Sequence, residues 1–146
     1  MNEQCDVCGF TKELLEAAKS NYNKGQYDKA IRDCNEVLRL DPNSYFAYQI
    51  RGVAYLSKDQ YDEAIRDLNE AIRLDPNKAI RDYSEAIRLD PKNSSAYERR
   101  GYAYLIKGQY DEAISDYSES IRLNPNSPFA YRCREEAYRM KGLYDG

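Results

Sequence analysis

A repeat with a period of 34, interrupted once, constrains the fold of this chain more than any other feature of its sequence. Its closing dipeptide, Asp-Pro or Asn-Pro, stands at 41–42, 75–76, 90–91 and 124–125, so the successive spacings are 34, 15 and 34. The dipeptide Tyr-Asp stands at 27–28, 61–62, 110–111 and 144–145, with spacings of 34, 49 and 34. Since 49 is 34 plus 15, both markers locate the same interruption, at which one unit is shortened from a length of 34 to a length of 15. A fixed period of this length predicts a repeat architecture.

The repeat divides the chain into a short leader and one array. Residues 1–10 are expected to form a disordered leader, and residues 11–146 a single array. The array contains three full units, a half repeat, and a last segment whose polar side suits a capping helix. The full units are 11–44, 45–78 and 94–127, the half repeat is 79–93, and the capping segment is 128–144.

Each full unit is predicted to form two helices. In the second unit the first helix is predicted at about 46–58 and the second at about 61–74. The second helix has apolar residues at the i, i+3, i+4, i+7 spacing of one helix face, namely Ala64, Ile65, Leu68, Ala71 and Ile72. Gly52 and Gly101 fall in mid-helix, where glycine costs about 1 kcal/mol relative to alanine. We therefore expect the paired helix to approach closely at these two positions.

The position after each first helix is predicted to adopt a left-handed backbone. Gly25, Gly108 and Gly142 occupy this position, and glycine tolerates that conformation without steric cost. Asp59 occupies it in the second unit, at a modest conformational cost.

These units resemble the tetratricopeptide repeat, a helix–turn–helix unit of the same period. The residues that carry the resemblance in the second unit are Ala47, Tyr48, Arg51, Gly52, Ala54, Tyr55, Tyr61-Asp62-Glu63-Ala64-Ile65 and Ala71-Ile72-Arg73-Leu74-Asp75-Pro76. Tyr48, Tyr97 and Tyr131 stand where the family often has tryptophan, and the first unit diverges further. The resemblance covers residues 11–146. It implies an all-α solenoid of about eight antiparallel helices.

The half repeat, residues 79–93, is a second helix without its first. Three outcomes are compatible with this pattern. Helix 79–90 takes the place of a first helix and pairs back onto 61–74, through a short connection of the usual antiparallel kind. Alternatively, 61–90 forms one long helix kinked at Pro76, at a cost of roughly 3 kcal/mol. In the third outcome another chain donates a helix, for which the terminal fragment is the natural donor, although Glu135 replaces the close-packing glycine of Gly52 and Gly101.

The resemblance implies a binding scaffold whose first helices line a concave groove for a peptide or an extended partner segment. Carried over by column, the groove residues are Phe46, Gln49, Ile50, Val53, Leu56, Glu98, Arg99, Tyr102, Leu105, Phe129, Arg132 and Glu136. Several of them are apolar residues off the core stripe, which favours a binding surface over an ordinary solvated face. The competing interpretation is that they pack between repeats.

A subclass of the family grips a C-terminal carboxylate with lysine and asparagine at fixed groove columns. The corresponding residues here are Leu15, Lys19, Ile50, Ser95 and Arg99, and of these only Arg99 matches. That mode of binding is therefore not expected. The second functional hypothesis is a structural self-assembly module, in which the missing helix promotes helix-swapped or docked homo-oligomers.

Composition excludes several other classes of function. The chain has no His, so it has no Ser-His or Cys-His couple and no His-ligated metal. No phosphate loop or nucleophile elbow occurs, and neither an enzyme nor a cofactor is expected. Cys5 and Cys8 form a lone CxxC, too few ligands for zinc. A net charge of −3 without a basic cluster disfavours nucleic acid, and no apolar run is long enough for a membrane span. A cytoplasmic protein that binds protein or peptide partners is expected.

Overall fold

The computed structural model describes the backbone of residues 3–145 and the side chains of residues 8–143. This part of the chain contains eight α-helices and no strand. The helices are α1 (Glu3–Asn23), α2 (Tyr27–Leu40), α3 (Tyr45–Ser57), α4 (Tyr61–Leu74), α5 (Pro76–Leu89), α6 (Ser94–Ile106), α7 (Tyr110–Leu123) and α8 (Pro128–Asp145). The predicted all-α fold is therefore confirmed. Helix α1 begins at Glu3, which differs from the disordered leader expected at 1–10.

The chain divides into two compact units, Met1–Leu74 and Asp75–Gly146. In the first unit each helix packs against the next one along the chain, and α1 also contacts α3. In the second unit α5, α6, α7 and α8 pack in the same sequential way, and α6 also contacts α8. Within each unit the first helices of neighbouring repeats thus lie side by side.

Helix limits follow the sequence pattern closely. Helix α4 has the predicted limits, and α3 begins and ends one residue before its predicted limits. Helix α3 begins after Ser44, whose Oγ accepts a hydrogen bond from the backbone N–H of Ala47 at 3.2 Å. Asn93 caps α6 in the same way, through the backbone N–H of Ala96. Such side chains satisfy N–H groups that have no partner in the first turn of a helix.

The left-handed turn after a first helix occurs at three of the four predicted positions. The φ angles are +77° at Gly25, +62° at Asp59 and +78° at Gly108. The residue after each of them donates its backbone N–H to the carbonyl five positions back, which closes the end of the helix. The prediction for Gly142 is wrong, because this residue lies inside α8.

Replacing Asp59 by glycine is expected to raise the free energy of unfolding by about 0.5–1 kcal/mol, because only glycine adopts a positive φ without steric cost. The hydrogen bond that the Tyr61 hydroxyl donates to Asp59 at 3.0 Å is exposed, and its loss weighs little against this gain. Urea unfolding monitored by circular dichroism measures the change. The Gly108→Asp variant is the control and should shift stability in the opposite direction. A loss of stability in Asp59→Gly would show that the hydrogen bond outweighs the strain.

The mid-helix glycines lie where the paired helices approach most closely, as predicted. A Cβ atom built on Gly52 would lie 2.7 Å from Cγ of Leu68, well inside van der Waals contact. One built on Gly101 would lie 3.2 Å from the ring of Tyr117. Leu68 and Tyr117 are both buried core residues, so there is little room for either to move away.

A part-buried arginine–aspartate pair recurs next to these glycines. Arg51 donates from Nε and Nη2 to the two carboxylate oxygens of Asp67, each at 2.7 Å. Its Nη1 donates to Asn35 of the preceding second helix at 2.8 Å. Arg100 makes the same bidentate contact with Asp116, at 2.8 and 2.7 Å, and a third bond to Ser84. In both cases the aspartate follows the arginine by 16 residues, and the other partner, Asn35 or Ser84, precedes it by 16 residues.

Exposed ion pairs differ from the simplest expectation of i, i+4 pairing. The spacing of Arg32/Glu36, Arg66/Glu70 and Arg81/Glu85 favours such pairs, but the glutamates instead bind arginines three residues further on. These pairs join Glu36 to Arg39, Glu70 to Arg73, Glu85 to Arg88, Glu119 to Arg122 and Glu136 to Arg139. A glutamate that precedes its basic partner is the orientation that the helix dipole favours.

The chain leaves helical geometry at Asp75, between α4 and α5. Asp75 has φ −151° and ψ 82°, and its Oδ1 accepts a hydrogen bond from the backbone N–H of Lys78 at 3.1 Å. Pro76 is the first residue of α5, where its missing N–H costs nothing. One continuous helix over 61–90 is therefore wrong. Helix α5 packs against α6 within the second unit.

Candidate binding groove

In the first unit the first helices α1 and α3 enclose a pocket of about 350 Å³. Its lining residues are Thr11, Lys12, Leu15, Glu16, Lys19, Phe46 and Ile50. Two of them, Phe46 and Ile50, are groove residues predicted from the sequence. Ile50 is buried and also contributes to the core, whereas Phe46 remains 42% exposed. The pocket thus has an apolar floor that remains accessible to solvent.

The remaining predicted residues of α3 do not line this pocket. Gln49, Val53 and Leu56 are half-buried. They lie on the same helix as Phe46 and Ile50 but outside the set of lining residues. The structure therefore brings two of the five predicted residues of α3 together in a defined pocket.

In the second unit the predicted residues lie on α6 and α8. The rings of Tyr102 and Phe129 are in tilted contact, with centroids 5.9 Å apart. Glu98 accepts a hydrogen bond from the hydroxyl of Ser127 at 2.8 Å, so it joins α6 to the start of α8. These contacts make part of the predicted surface a packing interface between neighbouring first helices.

The other predicted residues of the second unit differ in exposure. Arg99 and Leu105 on α6 are half-buried. On α8, Arg132 is exposed, while Glu136 is half-buried and forms an ion pair with Arg139. Arg132 is therefore the predicted residue of this unit that is most open to solvent.

Three charged or polar lining residues of α1 were absent from the sequence prediction: Thr11, Lys12 and Glu16. The repeat pattern of the sequence could have identified two of these residues. Lys12 lies one full repeat period before Phe46, and Glu16 lies one period before Ile50, so they occupy the same columns in the first unit. Carrying the groove columns back by one period would have found both. Together with Lys19, they place charged groups at the rim of the pocket.

The cysteines differ in their surroundings. Cys34 is buried in the core of the first unit, as its place on the apolar stripe predicts, and burial raises the pKa of its thiol to about 12. Burial also raises the pKa of the half-buried Cys133. Cys8 is exposed, and the side chain of Cys5 lies outside the described residues. Among the described side chains, no group of three or more His, Cys, Asp or Glu is arranged to hold a metal ion.

None of the helices in the described part of the chain combines the length and apolar character that crossing a bilayer requires.

Helix pairs that recur with a period of 34, interrupted once, and that pack closely through small residues define an α-helical repeat protein. Family models described as tetratricopeptide repeat match residues 45–78, 94–127 and 12–44, and one described as TPR repeat matches residues 77–105. The chain belongs to the tetratricopeptide repeat family. The match over 77–105 includes α5 and most of α6, so the half repeat is itself recognised as repeat sequence.

Three solved structures illustrate the similarity. The TPR domain of Arabidopsis OM64 is 23% identical, with 88% of this chain and 94% of that chain covered and a TM-score of 0.44. The second TPR domain of human RPAP3, solved with the HSP70 peptide SGPTIEEVD, is 23% identical, with 90% and 98% covered and a TM-score of 0.46. The MamA protein is 28% identical, with 93% and 85% covered and a TM-score of 0.48. No curated protein matches this chain.

Proposed function

We propose that this protein is a non-catalytic scaffold that binds an extended segment of a partner protein along its first helices. The observation that carries the proposal is the pocket of about 350 Å³ between α1 and α3. Its volume lies at the lower end of the range typical of ligand sites. It is large enough for one or two side chains of a peptide.

The lining residues indicate the chemistry of that segment. Leu15, Phe46 and Ile50 offer an apolar surface for an aliphatic or aromatic side chain. Two lysines, Lys12 and Lys19, outnumber the single carboxylate of Glu16 at the rim. We expect the preferred segment to have an apolar anchor residue flanked by acidic residues, because rim charges select and orient a partner.

Peptide selection on the full chain tests this proposal. A displayed library of random peptides is selected on the immobilised protein, and the dissociation constants of the selected peptides are measured by fluorescence anisotropy. Phe46→Ala should weaken binding at least about tenfold, since a central apolar anchor contributes more than about 1.4 kcal/mol. Lys19→Glu should weaken acidic peptides selectively, and more strongly at low salt.

Ile65→Ala provides the matched control. Ile65 is 37% exposed, similar to Phe46, but it lies on the second helix α4 and does not line the pocket. Its replacement should leave the dissociation constant unchanged. Selected peptides that bind Phe46→Ala and the unaltered protein equally would place the binding surface elsewhere.

A further inference from the structure

We propose that the pocket between α1 and α3 selects an extended segment whose residues alternate in the order acidic, apolar, basic, apolar, acidic. This inference rests on the proposed function and adds which side chains the partner segment carries and in what order. The charged residues of the segment face α1, and its two apolar residues face α3. The new element is the central basic residue, which binds Glu16.

The two walls of the pocket differ in chemistry. The charged lining residues all belong to α1, namely Lys12, Glu16 and Lys19. Helix α3 contributes the apolar side chains of Phe46 and Ile50. An extended chain directs successive side chains to opposite sides. A segment that lies along the groove therefore presents alternate residues to two different walls, which favours an alternation of charged and apolar residues.

The three charges on α1 are available to a partner. Five glutamates elsewhere in the chain bind an arginine three residues further on, as Glu36 binds Arg39. Glu16 and Lys19 have the same spacing, yet among the described side chains neither they nor Lys12 form an ion pair. A partner that binds these groups therefore has no internal ion pair to break.

The order of the charges on α1 determines the order of charges in the segment. Lys12, Glu16 and Lys19 share one face of the helix, because they are related as i, i+4 and i+7. They present a positive, a negative and a positive charge along the pocket. Electrostatic complementarity then requires an acidic, a basic and an acidic residue. This pattern reads the same in both chain directions, so it holds whichever way the segment runs.

The spacing of the lining residues matches an extended chain, in which alternate residues lie about 6.6 Å apart. Lys12 and Glu16 are about 6 Å apart along the axis of α1, and so are Phe46 and Ile50 along α3. Glu16 and Lys19 are about 4.5 Å apart along α1. The flexible four-carbon stem of lysine covers the remaining difference of about 2 Å. Five residues of an extended segment can therefore reach three charges on one wall and two apolar side chains on the other.

The size of the pocket favours an extended segment over a docked helix. A helix could also carry three charges at i, i+4 and i+7, but its diameter with side chains is about 10–12 Å. A single turn of such a cylinder occupies at least about 400 Å³. The pocket has a volume of about 350 Å³. It therefore holds side chains of a segment rather than a whole helix.

Fluorescence anisotropy with labelled, end-blocked peptides on the full chain tests this inference. The first peptide has the core Asp-Leu-Lys-Leu-Asp, and the second has the same residues in the order Lys-Leu-Asp-Leu-Asp. In either chain direction the second peptide places two residues opposite like charges on α1. It should therefore bind at least about tenfold more weakly at low salt. Equal affinity of the two peptides would overturn the inference.

A third peptide tests the conformation of the bound segment. It has the core Asp-Ala-Ala-Leu-Lys-Ala-Leu-Asp, which carries the same three charges at helical spacing. It should bind more weakly than the first peptide, because an extended chain cannot place all three of these charges opposite α1 at once. Tighter binding of the helical pattern would overturn the assignment of an extended segment.

Charge exchange on the protein gives a gain of affinity that unfolding cannot mimic. Glu16→Lys should weaken the peptide Asp-Leu-Lys-Leu-Asp at least about tenfold and should bind Asp-Leu-Asp-Leu-Asp more tightly than the unaltered protein does. Glu13→Lys is the matched control, because Glu13 is exposed on the same helix but does not line the pocket. It should change both affinities by less than about twofold.

Two results separate this inference from the proposed function. If Phe46→Ala weakens binding but Glu16→Lys and Glu13→Lys behave alike, the pocket binds a partner without reading its charge order. In that case this inference alone fails. If Phe46→Ala leaves the binding of every peptide unchanged, the pocket is not the binding site, and the proposed function fails as well.

Discussion

Replacing Asp67 by alanine is expected to lower the free energy of unfolding by about 3 kcal/mol. The substitution removes the carboxylate that accepts both donor groups of the Arg51 guanidinium. Breaking a buried pair on one side costs roughly 3–5 kcal/mol, because the remaining charge is left without compensation. We expect a loss at the lower end of this range, because the Arg51 side chain is 21% exposed and keeps its hydrogen bond to Asn35.

Urea unfolding of the full chain, followed by far-ultraviolet circular dichroism, measures this loss. Glu70→Ala is the control within the same unit, because it removes an exposed pair with Arg73 and should cost no more than about 0.5 kcal/mol. The double variant Arg51→Met with Asp67→Leu should recover most of the stability, since a packed apolar pair replaces a buried ion pair at little cost. If Asp67→Ala and Glu70→Ala lowered the free energy of unfolding equally, burial would not strengthen the Arg51–Asp67 pair as expected.

Replacing Gly52 by leucine is expected to lower the free energy of unfolding by about 3 kcal/mol as well. The new Cβ would lie 2.7 Å from Cγ and 2.9 Å from Cδ2 of Leu68. Leu68 is buried, so α3 and α4 must separate or adopt strained rotamers. Leu68→Ala should cost about 3 kcal/mol for the opposite reason, because it leaves a cavity.

The combination of these two substitutions tests the mechanism. If the helices meet as described, the leucine at position 52 fills part of the cavity left at position 68. The double variant should then lose at least about 1 kcal/mol less than the sum of the single losses. Gly142→Leu serves as the control, because a Cβ built on Gly142 would meet no described atom within 4 Å apart from its chain neighbours and its own helix backbone, and the helix propensity improves by about 0.8 kcal/mol. Additive losses would argue against direct contact between these two residues.

Much of the fold could be predicted because the repeat presents each local signal several times. The second helices begin at Tyr27, Tyr61 and Tyr110, in register with the Tyr-Asp dipeptide. Glycine predicts the left-handed turn at Gly25 and Gly108. At Asp59 the turn is predicted only because this residue occupies the same repeat position as those glycines. Close packing at Gly52 could be predicted because glycine inside a helix needs a compensating reason.

Other features depend on tertiary contacts that the periodic pattern does not encode. Gly142 carries the same local signal as Gly108, yet it remains helical because glycine permits the left-handed turn without requiring it. The pairing of Arg51 with Asp67 depends on a separation of 16 residues, which reflects how two helices cross rather than the period of either helix.

The candidate groove was predictable in kind but only partly in detail. Phe46 was identified because it lies off the core stripe while remaining apolar, and the structure places it in the wall of a pocket. Lys12 and Glu16 were missed because charged residues on a helix surface look like an ordinary solvated face. Tyr102 was predicted to line the groove, but its ring packs against Phe129 and against the core of the second unit. Sequence alone does not distinguish an apolar residue that binds a partner from one that packs on a neighbouring repeat.

The short sequence separation of the Arg51 contacts also has a consequence for folding kinetics. Its hydrogen bonds extend only 16 residues in either direction, to Asn35 and to Asp67. Contacts of such short sequence separation form early and quickly, because little loop entropy is lost before they form. Any adjacent pair of helices can therefore serve as a nucleus, from which ordered structure spreads one neighbour at a time. Refolding of the first unit should accordingly have no obligatory starting point, and a substitution at one arginine should slow only the routes that begin there.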